Sequence, residues 1–250
     1  MANRNERYNE ILDVLKVTTY ATVESLAQQL HISPSSIRRD LATLEARGKV
    51  VRSHGGVELL EIGRAGASFS LRFRENAGAK RRMAEKAAEL VNDGDVLFVD
   101  GSSTTMYLVH KLAQKNGITV ITNGVNVAQY LSDYKIKVIC TGGTLDTDDR
   151  SMLVGSDALR VVRELRADWV FFAVSALDDD GQMYDFTREG VAVVRQMMEC
   201  ARQKVCLCDS SKLGKTSIYR ECDLGELDFL ICDIPLASIY EEQFPNTKFL

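Results

Sequence analysis

A chain of 250 residues, 45% hydrophobic and 26% charged, is ordinary for a soluble globular protein of one large or two smaller domains. Its net charge of −4 argues against a globally basic nucleic-acid binder. No stretch approaches the apolar length of a membrane span, and Met1–Glu6 lack the apolar run of a signal peptide, so a cytoplasmic location is expected.

The net charge hides an asymmetry. Residues 1–60 hold eight Lys/Arg against seven Asp/Glu, whereas the remainder holds 23 against 28. Between Pro34 and Arg52, the cations Arg38, Arg39, Arg47, Lys49 and Arg52 face the acids Asp40 and Glu45. The positive charge is therefore local.

Tyr8, Ile11, Leu12 and Leu15 recur at helical spacing and predict a first helix over about residues 4–16. Thr22 is placed to cap a second helix carrying Val23, Leu26, Ala27 and Leu30. After the turn His31-Ile32-Ser33, Ser33 caps a third helix, and Pro34 fits its first position, where a missing N–H costs nothing. Ile37, Leu41 and Leu44 form the buried stripe of this helix. Ser35, Arg39, Ala42 and Thr43 then point away from it, with Ser36 and Arg38 on the flanks. Taken alone this is also an ordinary amphipathic surface helix. Following a second helix across a short turn, it makes a helix-turn-helix, whose hydroxyls and guanidiniums can reach phosphates and base edges in the major groove.

Gly48 stops the helix, Lys49–Arg52 and Val57–Leu59 read as short strands, and Ser53-His54-Gly55-Gly56 turns between them. This is a wing, or else a plain interdomain turn. The expected DNA contacts are Ser35, Ser36, Arg38, Arg39, Arg52 and His54. Residues 1–60 are thus read as a DNA-binding domain, 61–79 as a linker and 80–250 as a second, larger domain.

From Lys80 onward, helices alternate with short apolar strands: helices over residues 80–91, 106–115, 125–134, 158–165 and 191–201, and strands over 96–99, 119–121, 137–140, 169–174, 205–208 and 229–232. That order predicts an α/β domain with a doubly wound parallel sheet. Ligands of such sheets lie beyond the carboxyl ends of the strands. Here those ends carry Asp100-Gly101-Ser102-Ser103-Thr104-Thr105, Thr122-Asn123-Gly124, Thr141-Gly142-Gly143 and Asp209-Ser210-Ser211-Lys212. Glycines, hydroxyls, a helix amino end and a lysine together suit a phosphate, although each loop alone is no more than turn chemistry. Cys140, Cys200, Cys206, Cys208, Cys222 and Cys232 sit mostly in apolar runs, which predicts reduced buried thiols and no metal site.

Residues 5–59 resemble the winged helix of the DeoR family of bacterial regulators of sugar metabolism. Ser36-Ile37-Arg38-Arg39-Asp40-Leu41 stands at its T-I-R-R-D-L signature, and Arg52-Ser53-His54-Gly55-Gly56 at its wing. The remainder resembles the same family's sensor domain through Arg72, Asn76, Lys80, Asp100, Ser103-Thr104-Thr105, Thr122-Asn123, Thr141-Gly142-Gly143, Gly155, Glu189 and Asp209-Ser210-Ser211-Lys212. The resemblance implies a mostly parallel sheet similar to ribose-5-phosphate isomerase and coenzyme A transferases. It implies a transcriptional regulator, usually a repressor of a carbohydrate operon, that binds operator DNA as a homodimer or homotetramer and answers to a phosphorylated sugar or related metabolite. The expected effector contacts are Asp100, Gly101, Ser102, Ser103, Thr104, Thr105, Thr122, Asn123, Gly142, Gly143, Glu189 and Lys212. No cofactor is expected.

Two rival readings are a sugar-phosphate isomerase and a scaffold with a relic site. Against the enzyme, no lysine lies between Ser175 and Glu189, where the isomerase resemblance requires one beside a carboxylate. Ser102, Ala173 and Ala176 replace family glycines, and Ser156 stands at the usual proline; the added Cβ atoms narrow backbone approach, so the family's common effectors are not carried over to this chain and a bulkier or differently posed metabolite is left open.

Overall fold

In the computed structural model, which describes residues 4–18, 20–46, 49–53, 56–59, 69–236 and 238–250, the chain divides into two units, Met1–Arg72 and Phe73–Leu250. The first contains α1 (Arg4–Thr18), β1 (Tyr20–Ala21), α2 (Val23–Gln29), α3 (Pro34–Ala46), β2 (Val50–Ser53) and β3 (Gly56–Leu59). Its three strands form an antiparallel sheet in the order β1-β3-β2. The predicted apolar stripes close one core: Tyr8, Ile11 and Leu15 of α1, Leu26 of α2 and Ile37, Leu41 and Leu44 of α3 are all buried, with Val50 and Val57 beneath them.

The caps form as read. Thr22 Oγ1 accepts from Ser25 N at 2.9 Å, and Ser33 Oγ accepts from Ser36 N at 3.3 Å. Between α2 and α3 the turn passes through His31 at φ +53°, the left-handed conformation that closes many helix ends. One further contact fixes α3. Asp40 is buried to 1% exposure and takes a two-pronged ion pair from Arg7 of α1, at 2.5 Å from Nε and 2.8 Å from Nη2.

The stretch read as linker is structured in its second half. α4 (Phe69–Arg74) and the start of α5 (Ala77–Leu90) occupy it, while residues 61–68 lie outside the described residues. Asn76, at φ +53°, separates the two helices. β4 (Val96–Val99), α6 (Thr105–Leu112), β5 (Thr119–Thr122), α7 (Val125–Leu131) and β6 (Lys137–Cys140) follow, then a small hairpin of β7 (Thr144–Leu145) and β8 (Leu153–Val154). The chain continues through α8 (Ser156–Arg163), β9 (Ala167–Ala173), β10 (Ala176–Leu177), β11 (Gln182–Asp185), α9 (Arg188–Cys200), β12 (Ala201–Leu207), β13 (Tyr219–Asp223), β14 (Phe229–Ile231), α10 (Ser238–Gln243) and β15 (Lys248–Phe249).

Among the described residues seven strands form one parallel sheet, in the order β15-β14-β12-β9-β4-β5-β6. The apolar runs are buried on both faces, as parallel strands require. Phe98, Ile121, Val170, Phe172 and Cys206 face a cluster with Val162 of α8 and Val193 and Met197 of α9, and Leu97, Val99 and Phe171 are equally buried. A second antiparallel sheet, β10-β11-β13, and the β7–β8 hairpin were not predicted. The parallel arrangement aligns every strand's carboxyl end on one edge.

Candidate functional site

On α3, Ser35, Arg38 and Arg39 are exposed and Ser36 is half-buried, so the face opposite the Ile37–Leu41–Leu44 stripe is open to solvent within its unit. Ser33 Oγ lies 3.1 Å from Ser35 Oγ and 3.0 Å from Ser36 Oγ, which fixes both hydroxyls near the helix start. Arg38 pairs with Glu24 at 3.1 Å. Both side chains are more than half exposed, so the pair contributes ~0–1 kcal/mol and gives way readily to a phosphate. Arg39 has no acidic partner among the described residues. On β2, Arg52 stands 3.7 Å from the Glu45 carboxylate, which also accepts the Arg52 N–H at 3.2 Å. His54 lies outside the described residues.

In the second unit the turn after β4 is organised by Asp100. Its carboxylate accepts from Ser102 N at 3.0 Å, Thr105 Oγ1 at 2.6 Å and Ala173 N at 3.0 Å, so its oxygens are committed to protein donors. Burial raises its pKa, against the pull of those hydrogen bonds. Ser102 Oγ accepts from Thr105 N at 3.2 Å and so caps the turn. The backbone N–H groups of Ser103 and Thr104 have no hydrogen-bond partner among the described residues, and they stand at the amino end of α6. Lys80 of α5, buried to 4% exposure, donates to Ser103 Oγ at 3.1 Å. A cation and unpaired donors therefore meet at this turn.

The neighbouring strand ends complete the edge. Gly101 and Gly124 touch closely: a Cβ at Gly101 would stand 2.8 Å from Gly124 Cα and 3.1 Å from Ser151 O. Thr122 Oγ1 is turned inward onto Gly124 N at 2.9 Å. Asn123, fully buried, donates to Leu153 O at 3.3 Å and leaves its Oδ1 without a partner among the described residues. Gly142 and Gly143, at φ +66° and +103°, carry the chain from β6 into the hairpin. After β12, Asp209 and Ser211 receive the side-chain amide of Asn76 at 2.9 and 3.0 Å, and Lys212 is half-buried in the same turn. Glu189 is exposed in the first turn of α9, with no hydrogen bond to the other residues of the set among those described. Asn76 and Lys80 stand outside the expected effector set, although the resemblance marks both. Ala173 and Ala176 are buried.

Close to this edge β13 buries a carboxyl. Glu221 is 1% exposed with Oε2 unpaired among the described residues, and burial, then Asp185 and Asp100, push its pKa well up. A raised folded-state pKa means that its contribution to stability is complete below the unfolded value of about 4.3 and is lost as pH rises through the folded value. Glu221→Gln is therefore expected to stabilise the protein relative to wild type at pH 8 by on the order of 1 kcal/mol, and not at pH 4, in denaturant unfolding curves.

The DeoR-like helix-turn-helix domain profile matches residues 7–62, and the DeoR C-terminal sensor domain profile matches residues 75–234. The HTH-type transcriptional repressor GlcR of Bacillus subtilis is 34% identical over 92% of this chain and 88% of its own length. The glycerol-3-phosphate regulon repressor of Escherichia coli is 28% identical over 93% of this chain and 92% of its own. Among solved structures, ribose 5-phosphate isomerase A of Neisseria gonorrhoeae is 18% identical, with a TM-score of 0.41 over 54% of this chain and 52% of its own. No helix among the described residues is long and apolar enough to cross a membrane. With both domain profiles matched and α3 presenting its serines and arginines outward, this chain belongs to the DeoR family of transcriptional regulators.

Proposed function

We propose that the protein is a cytoplasmic, non-catalytic repressor of a carbohydrate operon, whose affinity for operator DNA is set by a phosphorylated sugar or related metabolite. It binds DNA as a homodimer or homotetramer, with α3 in the major groove. Ser35, Ser36, Arg38 and Arg39 make the groove contacts, and Arg52 and His54 touch the backbone.

The effector lies across the carboxyl ends of β4, β5, β6 and β12. The observation that carries this reading is the Ser103–Thr104 turn, where two N–H groups at a helix amino end, unpaired among the described residues, stand beside the buried Lys80 ammonium. Phosphate oxygens would accept from those donors, with Lys212 as a second cation. The orphaned Oδ1 of Asn123 then suits a hydroxyl of the same ligand. Gly142, whose Cβ direction is open, allows close approach of the ligand to the backbone, whereas Gly101 and Gly143 shape the edge by packing on Gly124 and on the Val154 carbonyl, and Glu189 is assigned to the rim. Asp100, Ser102, Thr105 and Thr122 act one step back, since their side chains hold the loops that carry the donors. The names of the similar repressors from B. subtilis and E. coli support the repressor reading, and the second supports a phosphorylated effector.

The test is a gel-shift titration across a panel of sugar phosphates. A true effector changes operator affinity by about 5- to 150-fold in the wild type. In Lys212→Ala that response is expected to vanish while effector-free operator affinity stays within about twofold, since coupling and DNA contact are separate terms. Loss of both together would make Lys212 structural, and turnover of any sugar phosphate would restore the enzyme reading.

A further inference from the structure

Away from the strand ends, α8, α9 and β13 enclose a groove of about 430 Å³ that the effector reading does not use. Four guanidiniums from three elements line it: Arg163 of α8, Arg188 and Arg195 of α9 and Arg220 of β13. All four are exposed, and none forms an ion pair among the described residues. Some other arginines of this unit, Arg160 and Arg202 among them, do find acids. Arg160 lies 3.8 Å from Asp157 and 3.5 Å from Glu164, and Arg202 lies 3.7 Å from Asp168. The groove has one acid on its wall, Glu199, whose carboxylate accepts from Gln196 Nε2 at 2.8 Å.

Two of the four are already oriented. Arg163 gives its Nε to Gln196 Oε1 at 2.6 Å, and Arg195 gives its Nε to the Glu221 carbonyl at 2.5 Å. Each bond fixes the guanidinium plane through Nε and leaves the terminal nitrogens for another acceptor, so little side-chain freedom remains to be lost on binding. The apolar part of the wall comes from Leu159, Val191 and Ala192, with Ile218 at its rim, 70% exposed. This unit's share of the chain carries more acids than bases, so the groove inverts the local charge.

Those features select the occupant. A second copy meeting the groove across a two-fold axis would set arginines against arginines, which costs energy. A duplex backbone calls for cations spread along a track, whereas these ring one concavity of ligand size. We infer that the groove is a second anion site, separate from the effector edge, taking a compact organic polyanion with two or three phosphate or carboxylate groups on an apolar body.

Isothermal titration of the full chain with inorganic tripolyphosphate and with citrate tests this. At least one probe should bind saturably at one per chain, and the stronger of the two tells phosphate from carboxylate recognition. Arg188→Ser/Arg220→Ser should weaken it about tenfold or more, and the lysine pair Arg188→Lys/Arg220→Lys should weaken it less, because charge remains while the planar fork is lost. Both residues are exposed and have no acidic partner among the described residues, so an unchanged melting curve is expected for both variants. Lys212→Ala should leave probe binding intact, which keeps this site distinguishable from the effector site. Absence of saturable binding by either probe, or loss in Lys212→Ala with none in the arginine variants, overturns the inference. It is equally overturned if the serine pair instead abolishes self-association in sedimentation velocity, or lowers affinity for duplex DNA, with probe binding untouched.

Discussion

Arg7→Ala is expected to lower the stability of the amino-terminal unit by about 3–5 kcal/mol, the usual cost of stranding one partner of a buried ion pair. Asp40 is 1% exposed and Arg7 is 25% exposed, so removal of the guanidinium leaves a carboxylate shielded from water. A unit of about this size has little stability in reserve, and a loss of this scale empties much of its folded state. The protein's single tryptophan, Trp169, lies in the other unit, which separates the readouts. Far-UV circular dichroism should show an early transition in Arg7→Ala, with the tryptophan fluorescence transition unmoved. Arg7→Met/Asp40→Leu should restore stability to within about 1 kcal/mol of wild type or exceed it, because an apolar pair replaces both charges together. If Arg7→Ala melts like wild type, the pair does not bolt α3 to α1.

Asp100→Ala should cost the sensor unit about 2–6 kcal/mol. The Ser102 and Ala173 N–H groups both lose their acceptor, at about 1–3 kcal/mol for each buried donor left unpaired. The Thr105 hydroxyl suffers less, since the carbonyls of Asp100 and Ser102 lie 3.2 and 3.0 Å away. Asp100→Asn should lose roughly half as much, its amide keeping one acceptor and turning a donor toward the other N–H. Tryptophan fluorescence in denaturant reads this directly, because Trp169 sits on β9 beside β4. Effector response should vanish in both variants, since Asp100 holds the turn that presents the Ser103 and Thr104 donors. A response retained at wild-type strength would place the effector elsewhere.

Much of this was legible in residues alone, where one element carries its own signal. The stripe Ile37–Leu41–Leu44 and the caps at Thr22 and Ser33 need no tertiary contact to be read, and the apolar runs of β4, β5 and β9 announce a doubly covered sheet. What escaped depends on pairing across the chain. Tyr20–Ala21 is too short to show alternation and becomes a strand by lying against Val57 and Glu58. β11 reads Gln-Met-Tyr-Asp, which has no apolar period, and exists because β10 and β13 flank it. α9 begins three residues before the predicted Val191 because Thr187 caps it, accepting from Gly190 N. At the effector edge the loops were visible as loops, but the amide of Asn76 reaches residues more than 130 positions away, and no local pattern places Lys80 beneath Ser103. The role of Asp100 was likewise hidden: an acid at a strand end reads as a ligand contact until its three donors are seen.

The decisive measurement is a gel-shift titration of wild type and Arg39→Ala on a duplex that the wild-type protein has selected from a random-sequence library, repeated between about 50 and 200 mM salt. Arg39 is exposed and has no acidic partner among the described residues, so its loss should leave the melting curve unchanged. The predicted result is a loss of ~1–3 kcal/mol in operator affinity, with relaxed sequence preference if the guanidinium reads a base or a shallower salt slope if it holds a phosphate. Unchanged affinity, preference and slope would contradict the assignment of α3 as the DNA-reading helix.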